Sequence, residues 1–387
     1  MKTILISLVS EQTVPNILAI HHFKPDELLF ISTRDMEAKG KTSAILDTMS
    51  RLGLKYQRDM IMVQEDSILD CHRQLEEWIK GREDSEFVVN LTGGTKIMSI
   101  AAYEFFKDYS SRMIYVPIPR NEFIVPFPKK SPGRPTEFDL RLSVVQYLAA
   151  YGLKVVNEGK LETYCQEARK RKGLSELIVQ NYAQLKNLLL WLCGMLRPHR
   201  SEKMFELTGN FTAENQEEKD FFSRFGFSYS GGIITRKLDR SDIRYLTGGW
   251  LEEYCFNIIS EWLGCGIDDV AIGLQLRNSR GRENEFDVMF TKDNALYFAE
   301  CKSLDQDEDE DASQALYKIG ALQREFGLRV KSFFVTTSPY ILKDGKVREA
   351  IQARSEQFQT WLVSPTEIGQ LKEIIAQKLN IHQGEIS

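Results

Sequence analysis

A chain of 387 residues exceeds one ordinary domain and suits two, so the sequence predicts two hydrophobic cores with a small connecting module. Hydrophobic residues make up 42% and charged residues 27%, which excludes a disordered or fibrous protein. The net charge of -5 argues against a protein that coats nucleic acid, because such binding rests on many Lys and Arg contacts to phosphate; any such contact should be local and helped by metal ions.

Met1 to Gln12 carries one Lys and a short apolar run with no small-residue cleavage site, so a first β-strand is expected there rather than a signal peptide. No stretch approaches the roughly 20 uninterrupted apolar residues of a membrane helix. The six cysteines (Cys71, Cys165, Cys193, Cys255, Cys265 and Cys301) are scattered, without a CxxC pair or clustering with the histidines. Neither a zinc site nor a disulfide framework is expected, and a soluble protein of the reducing cytoplasm with no membrane contact fits.

Over the first 120 residues, short apolar runs alternate with helical spacing. Candidate strands are Thr3 to Val9, Glu27 to Ile31, Asp59 to Val63, Phe87 to Asn90 and Met113 to Val116. That alternation predicts a Rossmann-like parallel sheet with helices on both faces, which Phe123 to Phe127 extends as an edge. Pro126, Pro128, Pro132 and Pro135, with Lys129, Lys130, Gly133 and Arg134 among them, mark a turn-rich exit near 135. Residues 136–245 read as a mostly helical connector whose last part, after about 200, is mixed. From about 246 a second α/β pattern follows: a helix (Leu251 to Leu263), strands Glu285 to Phe290 and Ala295 to Lys302, a helix (Ala312 to Phe326) and a strand (Lys331 to Thr336).

Strand alternation puts Glu285 and Asp287 on one face, with Phe286, Val288 and Phe290 on the other. After a turn at Lys292, Asp293 and Asn294, the next strand places Glu300 and Lys302 on a face with Leu296 and Phe298. Charges beside Phe298, Ala299 and Cys301 are costly without partners, and a divalent cation held by Asp287 and Glu300 supplies one. Lys302 can then orient or deprotonate a water, or stabilise charge building on phosphorus. At about 100° per residue, Glu252 falls inside the apolar arc of its helix while Glu253 falls on the solvent side, so Glu252 is the expected third acid. The acidic run Asp305 to Asp311 reads as a solvated loop.

Asp287 followed by Glu300-Cys301-Lys302, with Gly248-Gly249-Trp250-Leu251-Glu252 upstream, resembles the PD-(D/E)xK nuclease superfamily over about 248 to 340. Phe286 stands where the name implies Pro. The resemblance implies a restriction-endonuclease-like domain with Glu252, Asp287, Glu300 and Lys302 as the catalytic set. It further implies that Asp287, Glu300 and Glu252 hold Mn²⁺ or Mg²⁺.

In an open parallel sheet, ligands bind outside the carboxyl ends of the strands near the topological switch point. The loops there carry Ser10, Gln12 and Asn16 after the first strand, Thr33 after the second, and Thr92-Gly93-Gly94-Thr95-Lys96 before a helix after the fourth. Two glycines let backbone N–H groups approach an anion at a helix start. The GxxxxGK[ST] spacing is missing and no GxGxxG follows the first strand, so neither ATP hydrolysis nor NAD binding is expected. Asn90 to Met98 and the Ser10 to Asn16 loop resemble CARF domains, the CRISPR-associated Rossmann-like sensors. A CARF domain followed by a PD-(D/E)xK domain resembles the ancillary effector nucleases of type III CRISPR systems. That resemblance implies a homodimer activated by cyclic oligoadenylate, cyclic tetra-adenylate in particular, and a DNA or RNA substrate. The competing readings are a ligand-responsive transcription regulator, for which no basic recognition helix is evident, a ring nuclease that cleaves its own activator, and a constitutive nuclease.

Overall fold

The computed structural model describes residues 1–118, 120–128, 134–277, 281, 283–304, 309–323, 326–327 and 330–381. The N-terminal unit runs β1 (Thr3–Leu8), α1 (Val14–Phe23), β2 (Glu27–Ser32), α2 (Arg34–Ala38), α3 (Lys41–Arg51), β3 (Gln57–Met62), α4 (Ile68–Ile79), β4 (Glu86–Asn90), α5 (Lys96–Phe106), β5 (Ser111–Tyr115), β6 (Glu122–Phe127) and β7 (Thr136–Glu137). Its sheet has the order β3-β2-β1-β4-β5-β6-β7. The first five strands are parallel, and β6 and β7 close the edge antiparallel. Every residue of β2 and all but the first of β1 and β4 are buried, as continuous apolar strands covered by helices on both faces should be. The order reverses between β1 and β4, so the loops that follow them meet over the carboxyl ends. Of the turn-rich exit, residues 129–133 lie outside the described residues.

The connector contains α6 (Val144–Ala150), β8 (Lys154–Val155), α7 (Leu161–Lys170), α8 (Lys172–Gln180), α9 (Tyr182–Leu196), β9 (Met204–Asn210), α10 (Gln216–Phe225), β10 (Ser228–Ser230), β11 (Ile233–Asp239) and α11 (Arg240–Arg244). The part that looked mixed is a three-stranded antiparallel sheet, β10-β11-β9, with α10 against it. The C-terminal unit follows with α12 (Trp250–Ser260), β12 (Asp269–Arg277), β13 (Glu283–Lys292), β14 (Ala295–Lys302), α13 (Asp309–Gln323), β15 (Lys331–Thr336), β16 (Leu342–Lys343), β17 (Lys346–Val347), α14 (Glu349–Gln357), β18 (Thr360–Val363) and α15 (Leu371–Leu379). Its sheet has the order β18-β15-β14-β13-β12-β8, so one strand is lent by the connector. Asp305 to Glu308 of the acidic run lie outside the described residues, and the rest of the run opens α13. No helix among the described residues is long and apolar enough to cross a membrane.

The hydrophobic interior departs from two separate cores. One cluster joins the connector helices to α12 and to one face of the second sheet, through Leu188, Leu192, Phe256, Ile259, Val288 and Phe333. Another is continuous from the first unit into the second: Leu5, Ile17 and Phe30 connect through Leu142, Val144 and Leu148 to Phe298, Leu316 and Phe334. Helix α6 is the bridge. It starts in a capping box between Ser143 and Gln146, which supplies partners for the open amides of its first turn. The Leu142 amide donates to Asn294 Oδ1 and the Val144 amide to Asp269 Oδ2, each at 2.8 Å. At its far end the Thr13 hydroxyl donates to the Ala150 carbonyl, and the Tyr151 hydroxyl donates to Gln12 Oε1 at 2.9 Å. One short helix thus ties the loop after β1 to the β13–β14 hairpin tip.

Candidate functional site

Strands β13 and β14 pair from Lys292–Ala295 to Val288–Ala299 and then part, β13 staying with β12 and β14 with β15. Asp287 sits in the opening, where its Oδ2 accepts the Cys301 backbone N–H at 2.7 Å. Gly273, at φ 67°, lies between the Ile272–Val288 and Leu274–Phe286 pairs, opposite Asp287. The strands change phase there: Ile272 and Val288 join the core under α12, whereas Leu274 and Phe286 join the other. Simple alternation, which grouped Phe286 with Val288 and Phe290, fails at the Gly273–Asp287 position, where the glycine has a left-handed φ while the register on either side is unchanged.

Glu300 is buried on β14, 4% exposed, and its Oε1 receives Lys302 Nζ at 2.9 Å and Lys318 Nζ, from α13, at 3.6 Å. Burial, followed by the Glu252 and Glu300 charges, holds the Asp287 carboxyl well above the usual carboxylate range. Burial alone would lower the Lys302 pKa, but Glu300, Asp287 and Glu252 overcome it and keep the ammonium protonated.

Glu252 enters from α12. The turn before that helix has Gly248 at φ 130°, and its carbonyl accepts the Ser303 hydroxyl at 2.8 Å. A Cβ on Gly248 would stand 2.8 Å from Ser303 Oγ, so the close approach requires glycine. The end of β14 and the start of α12 are thereby locked together, and Glu252 lies within the field of Glu300 and Lys302. Burial raises its pKa, and Arg244, 3.9 Å away and also bound to Glu285, opposes that rise. Glu253 does not face solvent as expected. It is 7% exposed and meets the Arg171 guanidinium at 2.5 and 3.0 Å, because α7 and α8 cover the face that a free-standing amphipathic helix would give to water. Arg244, Arg171 and Lys318 were absent from the sequence reading, and no local pattern marks them.

The two acids are therefore expected to differ when substituted. Glu252→Gln should lose activity with little change in stability, whereas Glu253→Gln should cost roughly 3 kcal/mol of stability by leaving Arg171 poorly paired, with activity retained in the folded fraction. Thermal melts and cleavage rates on both variants check this; a Glu253→Gln protein as stable as the parent but inactive would reverse the assignment.

Asp287 has one oxygen engaged by Cys301 and Glu300 has one engaged by lysines, while Asp287 Oδ1 and Glu300 Oε2 make no hydrogen bond or ion pair among the described residues. That donor set suits a hard cation bound through one or two carboxylates with water completing its shell. No group of three acidic, histidine or cysteine side chains among the described residues is close enough to hold an ion by itself. Glu252 is the foremost charge acting on Asp287, and it also lies 3.9 Å from the Arg244 guanidinium.

At the switch point of the first sheet, Gly93 packs on the end of β1: a Cβ there would meet the Leu8 carbonyl oxygen at 2.1 Å and Ser10 Oγ at 3.4 Å. The loops carrying Ser10 and Gly93 are therefore in contact. Lys96 and Thr95 are exposed, and Gly94, at φ 70°, turns the chain into α5. The other residues spend their hydrogen bonds internally. Asn16 is buried, donating to the Leu8 carbonyl at 3.0 Å and accepting from Asn90 at 2.9 Å. Thr92 donates to Asn90 Oδ1 and accepts the Val116 amide, at 2.6 and 2.8 Å. Thr33 and Thr95 cap α2 and α5, and Thr95 also donates to the Glu65 carbonyl. Gln12 turns toward Tyr151 and, with Arg120, Tyr147 and Asn294, lines a small cleft of about 40 Å³ between the units.

Residues 4–147 match the family model of the Card1 CARF domain, and residues 239–382 match that of the Card1-like endonuclease domain. The chain thus carries a Card1-type CARF domain followed by a Card1-like endonuclease domain, which defines its class. The structure of Can2 from Sulfobacillus thermosulfidooxidans, in complex with cyclic tetra-adenylate, is 20% identical, with a TM-score of 0.76 over 98% of this chain and 99% of that one. Protein VC1899 from Vibrio cholerae is 21% identical, with a TM-score of 0.79 over 98% of both chains. A type III CRISPR defence DNA nuclease activated by cyclic oligoadenylate is 18% identical, with a TM-score of 0.55 over 92% of this chain and 52% of that one, so this chain spans about half its length. At these identities the likeness is one of fold. No curated protein sequence matches the chain.

Proposed function

We propose that this protein is a cytoplasmic homodimeric endonuclease that cuts DNA or RNA with Mn²⁺ or Mg²⁺ when cyclic tetra-adenylate binds its CARF domains, in type III CRISPR antiviral defence. The observation that carries the reading is the opening between β13 and β14, where Asp287, Glu300 and Lys302 meet in the order of the PD-(D/E)xK pattern. Asp287 and Glu300 would hold the ion, with Glu252 as the third acid of the centre. A bound dication supplies a Lewis acid that lowers the pKa of water and neutralises phosphate charge. Lys302, held as an ammonium, stabilises negative charge developing on the phosphate oxygens. Arg244 holds Glu252 and Glu285 in place and offsets their repulsion.

The activator reading is supported by the fold neighbour that binds cyclic tetra-adenylate, and by a crevice suited to an anion, with Ser10, Gly93, Gly94, Thr95 and Lys96 at a helix start. Gln12, Asn16, Thr33 and Thr92 act mainly by holding those loops. Ile100 and Tyr103 on α5, with Tyr115, Ile124 and Val125 on the neighbouring sheet edge, are exposed apolar residues suited to a second copy. A symmetric ring on the two-fold axis would contact both subunits equally. It activates only if it binds the active arrangement more tightly than the resting one.

Helix α6 is the physical route for that difference, since the ligand loop and the catalytic hairpin grip its two ends. Replacing Thr13 with Val and Tyr151 with Phe together should leave activator affinity nearly unchanged while lowering activated cleavage roughly tenfold, as expected for a coupling of about 1.4 kcal/mol. Parent-like activation in that double variant would rule out this route. The reading itself is tested by incubating the protein with labelled DNA and RNA, with Mn²⁺ or chelator, with and without cyclic tetra-adenylate. Fragments should require both metal and activator; fragments without activator would indicate a constitutive nuclease, and none at all a non-catalytic regulator.

A further inference from the structure

Two lysines converge on one carboxylate oxygen. Lys302 lies 2.9 Å from Glu300 Oε1, within a normal charge-assisted hydrogen bond, while Lys318 lies 3.6 Å from the same oxygen. One ammonium suffices to pair a single carboxylate, and a second costs repulsion between the two cations. The Lys318 side chain is 46% exposed, against 34% for Lys302 and 5% for Glu300, so it stands on the solvent side of the pair, where a polynucleotide would arrive.

The base of Lys318 is fixed while its head is weakly held. Ala315, Leu316 and Ile319 bury the inner face of α13 in the shared core. Gly320 presses on the Phe358 ring so closely that a Cβ would stand 2.1 Å from it. Arg354 bonds Ser313 and lies over the Tyr317 ring at 5.1 Å. A rigid helix thus carries a flexible four-carbon stem, suited to a point contact with phosphate. The fifteen residues between Lys302 and Lys318 keep Lys318 outside any local motif.

We infer that Lys318 binds a backbone phosphate of the nucleic-acid strand beside the one being cut; this rests on the nuclease reading above. Its resting contact with Glu300 holds the ammonium at the mouth of the site. A metal ion held by Glu300 would share that carboxylate's charge, leaving the Lys318 ammonium to pair with a phosphate.

The test uses the full chain with activator and a short labelled strand. Lys318→Ala should raise KM about tenfold, the loss of one charge-assisted contact, with kcat within about twofold. The dependence of log affinity on log salt, measured by fluorescence anisotropy with Ca²⁺ in place of Mn²⁺, should become shallower by about one. Lys318→Arg should recover most of the affinity. Lys302→Ala, by contrast, should lower kcat. Unchanged KM and salt dependence in Lys318→Ala would overturn the inference while leaving the nuclease reading intact, as would a fall in kcat alone, because Lys318 would then act only through Glu300. A parent protein that neither binds nor cuts the strand would end both.

Discussion

Asp287→Asn should lower cleavage on the order of a thousandfold or more and, in the same protein without metal, raise the melting temperature. The first effect follows from removing a proposed metal ligand and a charge of the centre. The second follows from where Asp287 sits. Its carboxyl is buried between Glu252 and Glu300, and burial is the leading cause of its raised pKa. A folded-state pKa above the ordinary 3.8 means that folding favours the protonated acid. That contribution is complete below the ordinary value and is lost as pH rises through the elevated one. Asparagine removes the charge and keeps an oxygen for the Cys301 amide, so the variant should gain over the parent as pH increases from about 4 to about 8. Melts in chelator across that range check it; a variant less stable than the parent at the upper end would mean that the acids are not in conflict.

Gly93→Ala should be the most damaging small substitution in the CARF domain. The added Cβ would stand 2.1 Å from the Leu8 carbonyl oxygen and 3.0 Å from its carbon, both backbone atoms that cannot rotate away. Either β1, a central strand, or the loop before α5 must shift, at a cost on the order of 3 kcal/mol. The activator crevice would move with it, so affinity for cyclic tetra-adenylate should fall along with the melting temperature. Gly94→Ala meets only side chains, Leu8 Cβ at 3.2 Å and Met98 at 3.3 Å, besides its positive φ, and should be milder. Equal stability of Gly93→Ala and the parent would contradict the close approach of these loops.

The features legible in the sequence were those set by local chemistry. Ala295–Lys302 and Lys331–Thr336 are observed with the expected ends, because an apolar run bounded by polar turns leaves little choice. Helical phase and the Gly248 to Glu252 resemblance singled out Glu252, but the same phase argument left Glu253, which is buried, on the solvent side. The features that were not legible depend on partners distant in sequence. Glu253 carries the same local signature as a solvated acid, and only Arg171, 82 residues away, makes it a buried one. The phase change at Asp287 falls opposite Gly273 on the neighbouring strand, and the strands at 204–239 have many exposed positions, which carry no clear alternation. In the CARF loops, Asn16, Thr33 and Thr92 also hydrogen-bond within the protein, which a one-dimensional reading does not show. A polar side chain at a strand end has the same identity whether it binds an anion or ties down its own backbone.

The central claim is that cyclic tetra-adenylate controls a metal-dependent nuclease through this chain's CARF domain. The most direct measurement follows activator binding and strand cleavage in one sample at saturating Mn²⁺ while cyclic tetra-adenylate is titrated. Cleavage should rise from near zero to a plateau, with its midpoint at the activator concentration that half-fills the CARF sites. A cleavage rate that is the same before and after the sites fill would contradict it.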